Sequence, residues 1–446
     1  MSLLDAYKAA FAALPPEIRA AEVEAETEAV TTVTLRDGVR QDCSYSDVTA
    51  LFVRASGEKT GFAYTQDLEE DPPAVIRRAY ESSLYSAAET VEPMNGPCAE
   101  LPREDTLESL AVSLLWKKAE AIDQWVAAQD YGLQSRTLSV TDRVQTLGLA
   151  NTLGCDVQCS ERTIEVSLLA VKAGCGSFTK VLTFSLPEAL EPAMFAACLQ
   201  KWTSCQLPEA TFEAGIYPCV LDAGVMANIL LTSWQMFTGR NYLAQNTPYA
   251  RKLGRTVASP ALRIVDQIAR PECGHRARTD VEGTPARDVE LVCGGVLTGL
   301  LHNLTSAAAM EAEPTGNAGR KALLSGNIHT DILTIPKNFG IVPGKGDVRS
   351  LLEQMGNGIY LYESFDEFHS INIGSGDFSI PCNGIRVENG QCTGLIDGLT
   401  INGKVQDLLR AVEAVGADLA VLPLEMLHSY TVFAPSILVS RLEISK

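Results

Sequence analysis

Several chemical signatures are absent from this sequence. It contains no His-Glu-x-x-His, so no helix presents two histidines to a metal one turn apart. It contains no Cys-x-x-Cys pair, which sets aside the usual zinc-ribbon and thioredoxin-like arrangements. No Gly-x-x-x-x-Gly-Lys-Ser/Thr loop is present. Pro343-Gly344-Lys345-Gly346-Asp347 has the wrong spacing and reads as a turn before a helix. No Gly-x-Gly-x-x-Gly joins a strand to a helix, and there is no Gly-x-Ser-x-Gly elbow, so dinucleotide binding and α/β-hydrolase chemistry lack their signals. The five histidines, His275, His302, His329, His369 and His428, are never closer than 27 positions. A metal site made from them would have to be assembled from distant segments.

Long apolar runs and basic residues are also scarce. Ile229–Leu231 is too short to span a bilayer, and Ala417–Leu424 is interrupted by Asp418, against the roughly 20 residues a membrane helix needs. The first residues, Met-Ser-Leu-Leu-Asp-Ala-Tyr-Lys, lack the basic head and apolar core of a signal peptide. The expectation is a soluble, cytoplasmic protein with no membrane partner. Lys and Arg number 36 against 55 Asp and Glu, a formal charge of −19. An acidic surface repels phosphate backbones, so direct nucleic-acid binding is not expected.

What is present is ample core material, with 46% hydrophobic residues in 446, enough for two or three domains. Twelve cysteines (Cys43, Cys98, Cys155, Cys159, Cys175, Cys198, Cys205, Cys219, Cys273, Cys293, Cys382 and Cys392) would be reduced in a cytosol. They are expected as buried free thiols acting as small hydrophobes.

The pattern along the chain is α+β. Leu3, Leu4, Tyr7, Phe11 and Leu14 mark a helix over 3–14 that Pro15-Pro16 stops. Alternation from about 29 predicts strands at 30–35, 39–46, 49–55 and 60–65, with Asp37-Gly38 as a hairpin turn. Pro72-Pro73 opens a helix over 72–89, and a linker covers 93–101. A second helix spans 106–126, followed by strands at 133–140, 143–150, 160–172 and 178–185 and a helix over 186–200. Residues 1–205 therefore read as an N-terminal antiparallel sheet with helices on one face. A boundary at 208–215 leads into a C-terminal domain, 209–446, with a large curved antiparallel sheet and few helices. Its helices are expected at 225–237, 347–355 and 404–415. Its strands include 216–221, 262–268, 277–281, 328–335, 359–364, 368–373, 378–387, 391–397 and 430–443, with 240–260 as a long loop.

Polar clusters in the second domain are the candidates for function. Asp280-Val-Glu282-Gly-Thr284-Pro-Ala-Arg287 sets acids and a base around a turn, His302-Asn303 ends a strand, and Glu313-Pro-Thr315-Gly-Asn317 follows in a loop. Such groups could line a groove for a peptide backbone. The same residue types also simply build loops, and both readings stay open. Asp280, Glu282, His302, Asn317 and Asp377 are the candidate groove residues.

The order of these strings resembles the TldD/PmbA (TldD/TldE) family over nearly the whole chain. The resemblance is carried by Glu282-Gly-Thr-Pro285, by Gly294-Gly-Val-Leu-Thr-Gly-Leu-Leu-His302-Asn303 and by Glu313-Pro-Thr-Gly-Asn-Ala318. It continues in Ser375-Gly-Asp-Phe-Ser379, Gly384-Ile-Arg-Val-Glu-Asn-Gly390, Asn402-Gly403 and Ala434-Pro-Ser-Ile-Leu-Val439. The family, historically called a modulator of DNA gyrase, is linked to proteolytic processing of peptide precursors. Its TldD-type subunits carry a His-Glu-x-x-x-His helix and a distant cysteine ligand for zinc. Its PmbA/TldE-type subunits lack them. Here the corresponding helix reads Met226-Ala-Asn228-Ile-Leu-Leu-Thr232-Ser-Trp-Gln-Met236, and Ser429–Pro435 has no cysteine. The resemblance thus implies a PmbA/TldE-type subunit with no cofactor of its own. Its partner would be a TldD-type zinc peptidase or a second copy, and its substrate a peptide. A homodimeric peptide-binding scaffold without hydrolysis is the alternative.

Overall fold

The computed structural model describes residues 3–85, 91–97, 107–173, 176–204, 207–276, 278–320, 332–424 and 430–446. Cys98, Cys175, Cys205, His329, His428 and residues 328–331 of the strand expected at 328–335 lie outside these residues. Two compact units emerge. One comprises Met1–Ser204, Gly274–Arg287 and His302–Thr334; the other comprises Cys205–Cys273, Asp288–Leu301 and Ile335–Lys446.

The first unit is built on one antiparallel sheet. Its strands are β1 (Ala20–Arg36), β2 (Val39–Ser56), β3 (Thr60–Thr65), β4 (Leu133–Asn151), β5 (Asp156–Lys172) and β6 (Gly176–Phe184), in the order β3-β2-β1-β4-β5-β6. Asp37 and Gly38 both have positive φ, as a tight hairpin turn between right-twisted strands requires. The strands are longer than alternation alone suggests. β1 begins at Ala20 rather than near 29, 39–55 is one strand, and 133–150 is one strand. The helix expected over 186–200 is instead a single 3-10 turn at Pro187–Ala189 followed by a helix at Ala196–Ser204, because Pro192 has no N–H to continue a helix.

Four helices pack on one face of this sheet. Helices α1 (Leu3–Phe11) and α2 (Pro72–Ser83) cover Ala21, Val23, Leu51, Val53 and Ala55. Helices α3 (Val112–Ala128) and α4 (Ala196–Ser204) cover Val33, Leu35, Leu138, Val140 and Val166. These are alternate residues along each strand, as a pleated sheet requires. A bulge between Thr34 and Leu35 turns Arg40 toward α3, where it meets Glu120 and lies over the Trp116 ring. The opposite face carries Glu22, Glu24, Glu26 and Glu28 at every second position of β1.

The second unit contains a ring of five strands: Gly215–Leu221 (β7), Gly358–Ser364, Asp377–Glu388, Gln391–Lys404 and Ile437–Ser445. The last two pair with each other to close it. A second sheet runs through 296–297, 289–293, 264–267, 338–341, 430–434 and 420–424. Pairing is antiparallel except between β7 and Gly358–Ser364 and between Asn338–Ile341 and Tyr430–Ala434, each joined by a long crossover. A helix, Glu367–Ser370, stands where a strand is expected at 368–373. The helix expected at 404–415 ends at Arg410 and gives way to the strand Val412–Val415. Helix α5 (Ala223–Ser233) has nine of its eleven residues buried.

The thiols are mixed rather than uniformly buried. Cys219, Cys273 and Cys382 are buried free thiols, but Cys43 and Cys293 are exposed. Cys155, buried beside the β4–β5 turn, is disulfide-bonded, which corrects the expectation of a free thiol there. No helix of the described residues is long and apolar enough to cross a membrane.

Candidate functional site

The polar strings singled out in the sequence come together in the first unit as a buried network. Asp280 is its local organiser. One carboxylate oxygen accepts from the backbone N–H groups of Glu282 (3.0 Å) and Thr284 (2.9 Å), and the other accepts from Ala318 N–H (2.9 Å). Gly283 and Gly316 both have positive φ. At Gly316 a Cβ would stand 2.5 Å from Ala286 Cα, so only glycine lets these two loops approach.

Glu282 is fully buried. Its Oε2 accepts from Leu304 N–H at 2.8 Å, at the start of the short helix Leu304–Ala309, where a helix favours an acidic group. Its Oε1 lies 3.8 Å from the Arg54 guanidinium. Burial, reinforced by the charge of Asp280, pushes the Glu282 carboxyl up to about 8, against the pull of Arg54 and the Leu304 N–H.

Arg54 sits on β2 with no exposed surface and donates from Nε to Glu22 at 2.6 Å. Glu92 approaches the same guanidinium at 3.9 Å. Burial alone would lower the Arg54 pKa, but Glu22 and Glu282 outweigh it and raise it. One position along the same face of β1, Glu24 accepts from Arg320, whose guanidinium also lies 4.8 Å from the Phe52 ring centroid. Burial holds the Glu24 carboxyl well above the usual carboxylate range despite Arg320. Two amides complete the network. Asn151 donates to Glu22 (3.0 Å) and to the Asn95 carbonyl (2.9 Å), and Asn95 donates to the Glu282 carbonyl and to Thr284 Oγ1, both at 2.9 Å.

His302 is buried beside this loop. Its N–H donates to Thr315 Oγ1 at 2.7 Å, and the Thr315 hydroxyl donates back to the His302 carbonyl at 3.0 Å. Burial, with help from Arg287, lowers the imidazole to about 4. The unfolded chain therefore takes up a proton at this position that the folded chain refuses. Stability should fall as pH drops from the ordinary histidine value of about 6.5 toward about 4, by up to about 3 kcal/mol. Replacing His302 with Gln should flatten that part of the acid limb in chemical denaturation.

Of the five candidate groove residues, Asp280, Glu282, His302 and Asn317 are all buried in the first unit. Asp377 belongs to the second unit, is exposed and pairs with Lys404 at 2.6 Å. Sequence reasoning missed Arg54, Glu22, Glu24 and Arg320. The available signal was the alternation of Glu from 22 to 28, since a row of acids on a buried strand face demands cations.

Helix α5, which the resemblance aligns with the zinc helix of TldD-type chains, is tied at its N-terminus by neighbouring side chains. Asp222 accepts from Gly224 N–H at 3.0 Å and from the Tyr360 hydroxyl. Ala223 N–H donates to Ser436 Oγ (2.9 Å), which donates to Asp418 (2.6 Å). Along the helix, Asn228 donates to Ser364 Oγ at 3.1 Å and Thr232 is buried among apolar residues. This donor set does not fit zinc, since α5 offers no imidazole, carboxylate or thiolate. Among the described residues, no group of three or more His, Cys, Asp or Glu is placed to hold a metal ion.

Comparison with known proteins defines the class first. Residues 214–446 match the PmbA/TldA metallopeptidase C-terminal domain, and residues 21–83 match PmbA/TldA metallopeptidase domain 1. The chain belongs to the PmbA/TldD metallopeptidase family, and it lacks an assembled metal site among the described residues. A metalloprotease TldD homolog of Haemophilus influenzae is 25% identical over 85% of this chain and 82% of its own length. A proposed DNA gyrase modulator from Thermotoga maritima shares the fold with a TM-score of 0.80 at 24% identity, over 99% of this chain and all of that one. TldE from Thermococcus kodakarensis does so with a TM-score of 0.79 at 17% identity, over the whole of both chains.

Proposed function

We propose that this chain is a PmbA/TldE-type subunit that works beside a zinc-bearing TldD-type subunit in the cytoplasm. The pair acts on peptides or unfolded segments, and the zinc and its activated water belong to the partner. The observation that carries this reading is the chemistry of α5, where an amide, two hydroxyls and apolar side chains leave nothing to ligate a Lewis acid or to take a proton from water. In this reading Asp280, Glu282, His302 and Asn317 fix the shape of loops within the first unit, and Asp377 of the second unit is the candidate with an exposed side chain to meet a peptide.

Co-expression with a TldD-type chain from the same organism tests the proposal. A stoichiometric complex is expected, with one zinc per pair, and the pair should hydrolyse an unfolded peptide faster than the partner alone. The isolated chain should purify without zinc and leave the peptide intact. One zinc per isolated chain, or a partner whose activity is indifferent to this subunit, would overturn it. Capture of intact peptide by a homodimer, with no effect on a TldD-type chain, would favour the scaffold alternative.

A further inference from the structure

The structure assigns the turn at 249–255 the role of a cationic dock for an acidic stretch of peptide. This rests on the reading above that the chain meets peptides, and it names which peptides.

The sequence marks the place. No Asp or Glu stands between Asp222 and Asp266, although the chain has 55 of them in 446 residues. Arg240, Arg251, Lys252, Arg255 and Arg263 all fall inside that gap. Arg263 pairs with Glu290. Arg240, Arg251, Lys252 and Arg255 make no ion pair or side-chain hydrogen bond among the described residues, and the three arginines of that set are exposed. A chain of net charge −19 thus carries one stretch where positive charge is left uncompensated. The acidic surface as a whole repels an anionic group, and this stretch attracts it.

The backbone holds the cations at 251–255 close together. Lys252 N–H donates to the Tyr249 carbonyl at 3.0 Å, and Arg255 N–H donates to the Lys252 carbonyl at 2.9 Å, which makes two linked turns. Gly254 N–H donates to the Leu297 carbonyl at 2.8 Å, and Leu297 N–H donates to the Arg255 carbonyl at 3.0 Å. Tyr249 anchors the turn, fully buried with its ring centroid 4.9 Å from that of Phe237. A dock that is already ordered loses little freedom on binding. Leu243 and Leu253 are exposed on the same segment and offer contacts to apolar side chains between a peptide's acids.

The loop at 372–377 brings Asp377 beside the dock. A Cβ on Gly374 would stand 2.6 Å from Asn246 Oδ1. The short helix Val405–Arg410 holds both segments. Gln406 donates to the Ser375 carbonyl at 3.0 Å, and Ser259 N–H donates to the Leu409 carbonyl at 2.9 Å. The acids nearby carry their own cations, Asp377 with Lys404 and Asp407 with Arg410, so they do not cancel the dock.

Fluorescence anisotropy of the isolated full-length chain with a labelled peptide of alternating Glu, Ser and Leu tests this. Binding is expected at about 0.05 M salt and should weaken about tenfold by about 0.3 M. The same peptide with Lys in place of Glu should not bind. The triple variant Arg251→Gln, Lys252→Gln, Arg255→Gln should bind about tenfold more weakly, as the loss of three surface charge contacts predicts. Arg263→Gln, whose cation is already paired, should bind like the wild type. No binding by the wild type, or equal binding of the Lys peptide, overturns the inference whatever the variants do. A triple variant that keeps its affinity, or a single-stranded oligonucleotide bound as tightly as the peptide, overturns it as well. Neither a partner nor hydrolysis enters the measurement, so failure here leaves the pairing with a TldD-type chain standing, and loss of that pairing leaves this binding intact.

Discussion

Arg54→Met should destabilise the full-length protein by about 3–5 kcal/mol, the range for removing one partner of a buried ion pair. The reason lies in what remains. Arg54 has no exposed surface, and its loss leaves Glu22 buried without the cation it bonds and removes the guanidinium facing Glu282. Methionine fills the volume but supplies no donor. Lysine at 54 should recover little, because a single ammonium cannot bond Glu22 along the Arg54 Nε direction and still reach toward Glu282 at the other end of the fork. The informative control is the triple variant Arg54→Met, Glu22→Gln, Glu282→Gln. Replacing both carboxyls with neutral amides should recover most of the lost stability, since a neutral core of similar volume is often as stable as a buried ion pair. Urea unfolding midpoints at constant slope measure all three. A single variant as stable as wild type would show that water reaches this network.

Gly61→Ala should rank next, with a loss of about 3 kcal/mol, at the upper end of the usual overpacking range. Gly61 lies on β3 under α2. A Cβ there would stand 2.2 Å from the Ala79 carbonyl oxygen and 2.3 Å from Ser83 N. Both are backbone atoms of a helix, so no side chain can rotate away. The close approach is fixed from the other side by Ser82, whose hydroxyl accepts from Phe62 N–H at 2.8 Å and lies 2.9 Å from the Phe62 carbonyl oxygen. To admit one methyl group, α2 must lift from the sheet and uncover Val75, Ile76 and Ala79, which are buried in the same core as Leu51 and Val53. Thermal unfolding should show the drop. A shift within error would mean that the strand end, rather than the helix, gives way.

Turn chemistry and alternation made much of the fold legible. Asp37-Gly38 and Asn389-Gly390 are hairpin turns with positive φ at both residues, as their sequences require. Pro72-Pro73 opens α2 and Asp347 caps the helix at 348–355 through Ser350 N–H, again as those residues dictate. The start of β1 was not legible. Ala20-Ala-Glu22-Val-Glu24-Ala-Glu26 is made of residues with weak strand propensity, and pairing with β2 and β4, with Arg54 and Arg320 meeting its glutamates, fixes it as a strand. Similarly, the pattern suggests strands at 368–373 and 378–387; the second is a strand, but a helix at 367–370 stands in place of the first, after Asp366 in a left-handed conformation.

The candidate site was half legible for a related reason. Short polar residues around Gly283 and Gly316 announce loops, and the structure brings those loops together. Glu282 packs against a cation, Arg54, that lies 282 − 54 = 228 positions away on a strand of the sheet, and periodicity within a window cannot report that.

The make-up of the first unit constrains how the protein is born. Its sheet is complete in the nascent chain at Phe184, yet Glu282 and Arg320, which meet its buried charged row, are translated 282 − 184 = 98 and 320 − 184 = 136 codons later. Until they leave the ribosome, Glu22, Glu24 and Arg54 stand in water. The finished packing of this half therefore awaits synthesis well into the other.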